Sequence, residues 1–160
     1  MQKITPFLWF DSNAEEAVKF YVSVFKQKSK ILGVARYPEG SPGPAGSVMT
    51  VEFKLFGQDF VALNGGPVFK FTEAISFVVS CKTQREVDYY WKKLSAGGKE
   101  IQCGWLQDRF GLSWQIVPTA LSDLMKSKDR ARGARVMQAM LKMIKLDIKQ
   151  LKQAAANRGG

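Results

Sequence analysis

Histidine is absent from the 160 residues of this chain. Its absence excludes Ser-His-Asp and Cys-His nucleophile pairs, a histidine general base and every metal site with imidazole ligands. Cysteine is scarce: Cys81 and Cys103 are the only two, and their spacing fits neither a metal site nor a disulfide scaffold. We therefore expect free thiols and a reducing, cytoplasmic location.

Long apolar runs are also missing. No segment approaches the roughly 20 apolar residues that span a bilayer, so we expect no membrane partner. The first ten residues lead directly into a strand pattern, and we expect no signal peptide. Positive charge is in excess, with a formal net charge of +10, but it is concentrated near the C-terminus. Residues 121–160 carry ten Lys and Arg against three Asp, whereas residues 1–120 carry fourteen basic against eleven acidic residues.

One sequence pattern occurs twice. Residues 4–21 and 74–91 each contain a short apolar strand, a polar capping segment and an amphipathic helix. An offset of 70 residues places Phe7 on Phe77 and keeps the apolar positions of the two helices aligned. The pattern predicts an internal repeat.

Three further strands are predicted after each helix. The turn-and-strand segments 57–63 and 111–117 align with each other and support the repeat independently. The sequence therefore predicts an α+β domain over residues 1–120, built from two βαβββ repeats at about 1–67 and 70–119.

Two segments lie outside the repeated pattern. Residues 38–46 are rich in proline and glycine and predict a loop, which either connects two strands or covers a cleft as a lid. Residues 121–160 predict a helical tail whose apolar stripe is buried against the sheets or a partner chain. The tail lysines could bind nucleic acid, but the stripe favours a packing helix with a solvated basic face, and we do not expect nucleic acid as a partner. The stripe comprises Met137, Leu141, Ile144, Ile148 and Leu151.

A duplicated βαβββ unit that closes on FGLSWQIVP resembles the vicinal oxygen chelate superfamily of glyoxalases, bleomycin resistance proteins and dioxygenases, and within it the PhnB-like branch. The resemblance implies a U-shaped cleft between curved sheets, the glyoxalase-like fold, commonly completed in a dimer. Other segments that carry it are ITPFLWFDSNAEEAVKFYVSVF, ALNGGPVFKFTEAISFVV, EVDYYWKKLSAGG, CGWLQDRFGLSWQIVP and RVMQAMLKMIKLDIKQL.

The resemblance also implies where a metal would be held. Enzymes of the superfamily place one ligand, usually His or Glu, on each of four strands, and these positions correspond here to Thr5, Val61, Ile75 and Gln115. None of these side chains is charged and two are aliphatic, so we expect no metal and no other cofactor. The branch often carries a demethylubiquinone methyltransferase label. However, no glycine-rich turn leads from a strand into a helix in this sequence, as such a cofactor site usually requires.

Alternation along the strands predicts which residues line the cleft if Gln115 faces it. Trp114 would then pack against the helices. A mostly apolar lining with a few polar groups is typical of a small-molecule site, although the same residues could simply fill the core. The predicted ligand-binding residues are Thr5, Phe7, Trp9, Leu63, Phe77, Ser113 and Gln115.

The sequence thus predicts a metal-free, cytoplasmic, homodimeric small-molecule-binding protein. The alternative is an enzyme of the same superfamily, of isomerase, lyase or transferase type, with an atypical ion or a non-metal mechanism. No catalytic residue can be named, because the carboxylates fall on the solvated faces of predicted helices and strands. Cys103 has no histidine to activate it and is interpreted as structural.

Overall fold

The computed structural model describes residues 2–157. The chain divides into two compact units, Met1–Phe71 and Thr72–Gly160, and each contains one four-stranded sheet. Among the described residues, every helix is too short or too polar to cross a membrane.

The first unit contains a mixed sheet and one helix. Its elements are β1 (Phe7–Phe10), α1 (Ala14–Phe25), β2 (Lys30–Arg36), β3 (Val48–Leu55) and β4 (Gln58–Asn64). The strand order is β1-β4-β3-β2, with β1 parallel to β4 and the other pairs antiparallel.

The second unit repeats this arrangement. Its elements are β5 (Ser76–Cys81), α2 (Gln84–Ser95), β6 (Lys99–Glu100), β7 (Trp105–Gln107) and β8 (Ser113–Pro118). The order β5-β8-β7-β6, with β5 parallel to β8, reproduces the order of the first sheet. The predicted α+β fold with two βαβββ repeats is confirmed.

Each sheet packs one face against the helix of its own unit. In the first unit, Val18 and Tyr21 of α1 are fully buried, as is Phe53 of β3. In the second unit, Leu94 of α2 and Leu106 of β7 are fully buried. Burial of each large apolar side chain contributes about 1.5–3 kcal/mol, so these faces form the core of each unit.

The C-terminal region is helical but consists of three short helices: α3 (Thr119–Met125), α4 (Arg130–Leu141) and α5 (Ile148–Ala156). Of the predicted apolar stripe, Leu151 is buried, whereas Leu141 and Ile144 are 50% and 52% exposed. The prediction of one continuous stripe is wrong, because the chain leaves the helix after Leu141 and restarts with Asp147 as a new N-cap. The buried cluster instead consists of Val136, Met143, Leu146, Leu151 and Ala155.

Hydrogen bonds and an ion pair attach this region to α2. The Gln84 side chain donates from Nε2 to Leu146 O at 3.1 Å, and its Oε1 accepts from Ile148 N at 2.8 Å. Lys145 forms an ion pair of 2.8 Å with Asp88 of α2. The C-terminal helices therefore belong to the same compact unit as the second repeat.

Candidate functional site

The first sheet has one face that is not covered by α1, which we call the first open face. Leu8 and Phe10 are buried on the helix side, and their neighbours along β1 point the opposite way because side chains alternate along a strand. Thr5 lies two residues before β1 with the same parity and is partly exposed. The first open face carries Phe7, Trp9, Val61 and Leu63.

Trp9 is held in place on this face. Its indole N–H donates to Gly66 O at 2.9 Å, and its ring meets Phe69 edge-on with a centroid separation of 4.9 Å. A side chain at position 65 would collide with the indole, so Gly65 is required for the close approach. Because its N–H is already used, Trp9 can offer a ligand only its apolar ring.

The second sheet has a corresponding uncovered face, the second open face, which is more polar. Trp114 and Ile116 are buried on the α2 side, as predicted for Trp114, and their neighbours along β8 face away from the helix. The register places side chains in rows across three strands. One row is Ser76, Ser113 and Gln107, and the next is Val78, Gln115 and Trp105.

Phe77 does not share a face with Gln115. It is the register partner of Trp114 on the helix side, with ring centroids 5.7 Å apart. The predicted orientation of Phe77 is therefore wrong, and Ser76 and Val78 occupy the positions on the second open face.

A difference in loop length explains the error. Three residues connect β1 to α1, whereas two connect β5 to α2. The helices of the repeats are related by an offset of 70 residues, but the strands preceding them are related by 71. A shift of one residue moves every side chain of a strand to the opposite face.

The second open face contains polar groups without protein partners. Gln115 Nε2 donates to Ser76 Oγ at 2.9 Å, and the Ser113 hydroxyl is completely buried with no hydrogen-bond partner within residues 2–157. Within the same residues, the Gln115 carbonyl oxygen, the Trp105 indole N–H and the Gln107 amide also have no partner. The groups on Gln115, Trp105 and Gln107 are partly exposed and can bind a molecule that both donates and accepts hydrogen bonds.

Lys99 extends the polar row at the edge of the sheet. It is the register partner of Gln107 on β6 and is exposed. Its ammonium group adds a positive charge beside the amide and hydroxyl groups. The second open face therefore offers neutral hydrogen-bonding groups at its centre and a cation at its margin.

The corrected offset changes one of the four positions that the resemblance to the superfamily implies for a metal. Ser76 replaces Ile75, which lies before β5 and is 70% exposed. The set becomes Thr5, Val61, Ser76 and Gln115, of which one side chain is aliphatic and three are polar but uncharged. Such weak donors do not suit a divalent ion, and residues 2–157 contain no group of three His, Cys, Asp or Glu that could hold one.

The buried titratable groups lie away from the second open face. Burial and the nearby Glu86 carboxylate raise the pKa of the Cys81 thiol to about 12, and Cys81 lies on the helix side of β5. Burial is also the main reason that the pKa of Tyr90 on α2 is raised, with smaller contributions from Cys81, Glu86 and Tyr89. These groups stay protonated at neutral pH and do not provide a nucleophile.

The proline- and glycine-rich loop over residues 38–46 lines a cavity of about 520 Å³ within the first unit. Its base is closed by a hydrogen bond of 2.9 Å from Tyr37 N to Ser47 O, and the Tyr37 hydroxyl donates to Asn64 O at 2.5 Å. The first turn of α1 forms the other wall. The loop thus borders a concave surface, while its function as a lid remains a prediction.

Several site residues were missed in the sequence, namely Ser76, Val78, Lys99, Trp105 and Gln107. The segment WLQ at 105–107 contained a usable signal, because a buried Leu106 implies that both of its neighbours face the other way. Ser76 and Val78 could be identified only by allowing the two strand-to-helix connections to differ in length.

The chain is similar to a known family and to several solved structures. The family model described as 3-demethylubiquinone-9 3-methyltransferase matches residues 2–117. A PhnB protein from Bacillus cereus, which carries the same methyltransferase name provisionally, is 40% identical over 73% of this chain and 99% of that chain, with a TM-score of 0.66. No match to a curated protein was found.

More distant structures share the fold alone. Protein PA1353 from Pseudomonas aeruginosa is 19% identical over 74% of this chain and 98% of that chain, with a TM-score of 0.61. The fosfomycin resistance protein FosX from Listeria monocytogenes is 15% identical over 79% of this chain and 98% of that chain, with a TM-score of 0.56. The family match includes both repeats and both open faces, and the chain therefore belongs to the PhnB-like, 3-demethylubiquinone-9 3-methyltransferase family.

Proposed function

We propose that this protein binds a small organic molecule on the second open face without the help of a metal ion. The molecule has a planar apolar part, which stacks on Trp105, and an oxygen or nitrogen group that pairs with Gln115. The observation that carries the proposal is the row of Val78, Gln115 and Trp105, which places an aliphatic, an amide and an aromatic side chain side by side.

The unpaired polar groups support this assignment. The carbonyl oxygen of Gln115 and the indole N–H of Trp105 are partly exposed and have no hydrogen-bond partner within residues 2–157. The amide of Gln107, in the neighbouring row beside Ser113, can recognise a second polar group of the ligand. A mostly apolar surface with a few polar groups is typical of a small-molecule site. Of the residues predicted from the sequence, Ser113 and Gln115 belong to this proposed site.

The first open face supplies a second, apolar surface for ligand binding. Thr5, Phe7, Trp9 and Leu63 keep their predicted role there as a proposal. Trp9 and Leu63 are register partners, so an aromatic and an aliphatic side chain lie next to each other. We propose that this face, taken by itself, binds apolar groups through contact with its side chains alone, because the Trp9 N–H is already bonded to Gly66.

Purification under native conditions followed by mass spectrometry of the denatured protein tests the proposal. We expect a co-purifying organic molecule whose binding quenches tryptophan emission. Gln115→Ala and Trp105→Ala should each weaken its binding by about 1–3 kcal/mol. Gln102→Ala, which removes an exposed amide in the same unit, is the matched control and should have no effect. Unchanged binding in both site variants would refute this site.

We propose a cytoplasmic homodimer, with residues 1–120 as the ligand-binding domain and 121–160 as an added helical segment. Exposed apolar side chains of the first unit, including Phe69 at 61% and Val68 at 73%, favour burial by a second copy. Light scattering that reports only a monomer at micromolar concentration would contradict the dimer.

The alternative is an enzyme of the same fold, and the family name favours methyl transfer. The connections from strand to helix do not support a nucleotide-type cofactor site, because Asp11–Asn13 and Lys82–Thr83 contain no glycine. Incubation with a labelled sulfonium methyl donor and a catechol-type quinol would decide between ligand binding and methyl transfer. Transfer of label that depends on Gln115 would replace the binding proposal with this alternative.

A further inference from the structure

A small cationic cavity lies in the second unit between α4 and α5. Its volume is about 270 Å³, which is enough for a phosphate-sized group with associated water. Three of the lining side chains are cationic and one is a carboxylate. The lining consists of Asp129, Arg132, Arg135, Lys152, Ala155 and Ala156.

Two of the charged residues already form hydrogen bonds at helix ends. The Asp129 carboxylate accepts from Arg132 N at 3.2 Å and so caps the start of α4. Arg135 donates from Nε to Ala154 O at 3.2 Å and from Nη2 to Ala155 O at 2.9 Å, which satisfies carbonyls at the end of α5. These bonds fix one wall of the cavity.

The other two cations are not paired. Arg132 Nε is buried and has no hydrogen-bond partner within residues 2–157. Lys152 is exposed and forms no ion pair with those residues. Both side chains line the cavity, and an oxyanion is the acceptor that a guanidinium binds best.

The surroundings add positive charge. Lys152 also lines a neighbouring groove together with Lys82 and Lys149. The one carboxylate there, Asp147, accepts from Gln150 N at 2.8 Å as the N-cap of α5. Clustered lysines around a concave site raise the local concentration of anions.

We propose that this cavity is an oxyanion site that binds a phosphate group through Arg132 and Lys152. Arg135 shapes the cavity and adds positive charge. The site is separate from the second open face and does not depend on the ligand proposed there.

Titration of the full-length protein with inorganic phosphate and pyrophosphate, followed by calorimetry, tests the inference. We expect saturable binding that Arg132→Gln weakens by about tenfold or more. Arg130→Gln is the matched control, because it removes the same charge from the exposed first residue of α4. It should weaken binding by less than about twofold.

Circular dichroism verifies that each variant is folded. If Arg132→Gln does not fold, Lys152→Gln replaces it, since the exposed lysine is not part of the core. Saturable binding that Lys152→Gln weakens would then support the site. The inference is overturned if the wild-type protein shows no saturable binding at millimolar phosphate. It is also overturned if Arg130→Gln weakens binding as much as Arg132→Gln, or if Lys152→Gln leaves binding unchanged.

Discussion

Asp108 should be among the most sensitive positions of the second unit. Its side chain is buried in the turn before β8, with the residue 3% exposed. Oδ1 accepts from Phe110 N at 2.9 Å and from Leu112 N at 3.0 Å, and Oδ2 accepts from Trp114 Nε1 at 2.8 Å. The carboxylate therefore shapes the turn and holds the strand that carries Ser113 and Gln115.

The cost of Asp108→Ala follows from these bonds. Leu112 N and Trp114 Nε1 form buried bonds, whereas the bond from Phe110 N is only partly buried. Each fully buried donor left without an acceptor costs about 1–3 kcal/mol, and removing the buried charge recovers part of its desolvation energy. We expect the free energy of unfolding to fall by about 3–5 kcal/mol, a large fraction of the roughly 5–15 kcal/mol typical of a protein of this size.

Urea denaturation measures this loss. Asp108→Asn can keep the two acceptor bonds of Oδ1 and loses only the bond to Trp114, so it should cost about 1–3 kcal/mol. Trp114→Phe removes the same bond, and the double variant should cost less than the sum of the single ones. Asp123→Ala, at an exposed position, should cost less than about 0.5 kcal/mol. A loss below about 1 kcal/mol for Asp108→Ala would refute the reasoning.

Four further predictions concern the thiols, the C-terminal helices and metal content. Iodoacetamide should label the partly exposed Cys103 well before the buried Cys81, and equal rates would contradict the structure. The pKa of the Cys81 thiol is about 12 in the folded chain and about 9 when the thiol is exposed, so the folded state binds more protons between pH 9 and 12. The contribution of this thiol to the free energy of unfolding should therefore decline as the pH rises from 9 to 12. The decline should be absent in Cys81→Ala. Gln84→Ala should speed hydrogen exchange in α5 while leaving exchange in α1 unchanged, because the Gln84 side chain bonds both Leu146 and Ile148. Equal exchange rates in α5 of the variant and the wild type would contradict this role of Gln84. Elemental analysis after dialysis should find far less than one equivalent of zinc, nickel, manganese or iron, and stoichiometric metal that is lost in Gln115→Ala would overturn the metal-free proposal.

Periodicity predicts most of this fold. The helices Ala14–Phe25 and Gln84–Ser95 lie where the repeated amphipathic pattern predicts them, because their apolar stripes are local signals. The burial of Trp114 follows from simple alternation along β8. Local patterns are therefore sufficient for the elements and for the order of strands within each repeat.

Two features could not be predicted in this way. The break between Leu141 and Ile148 depends on tertiary hydrogen bonds, in which Met143 O and Ile144 O accept from Cys103 N and Gly104 N. These bonds compete with a continuous helix. The N-cap residue Asp147 is a local signal for the start of α5, but no local pattern marks these bonds or the end of α4 at Leu141. The orientation of Phe77 depended on a loop shorter by one residue, which low identity between the repeats concealed.

The unequal strand-to-helix connections also limit how the two repeats can be exchanged. Consider a hybrid in which residues 4–10 replace residues 74–80, at the offset of 70 that relates the two helices. The side chains of the grafted strand then point to the opposite faces of the sheet, so that Phe7 and Trp9 enter the core beneath α2. Grafting onto positions 75–81 restores the facing, with Phe7 at the position of Val78 and Phe10 at that of Cys81. Recombination between the halves is thus tolerated in only one of the two registers, and the two-residue connection at Lys82–Thr83 determines which one.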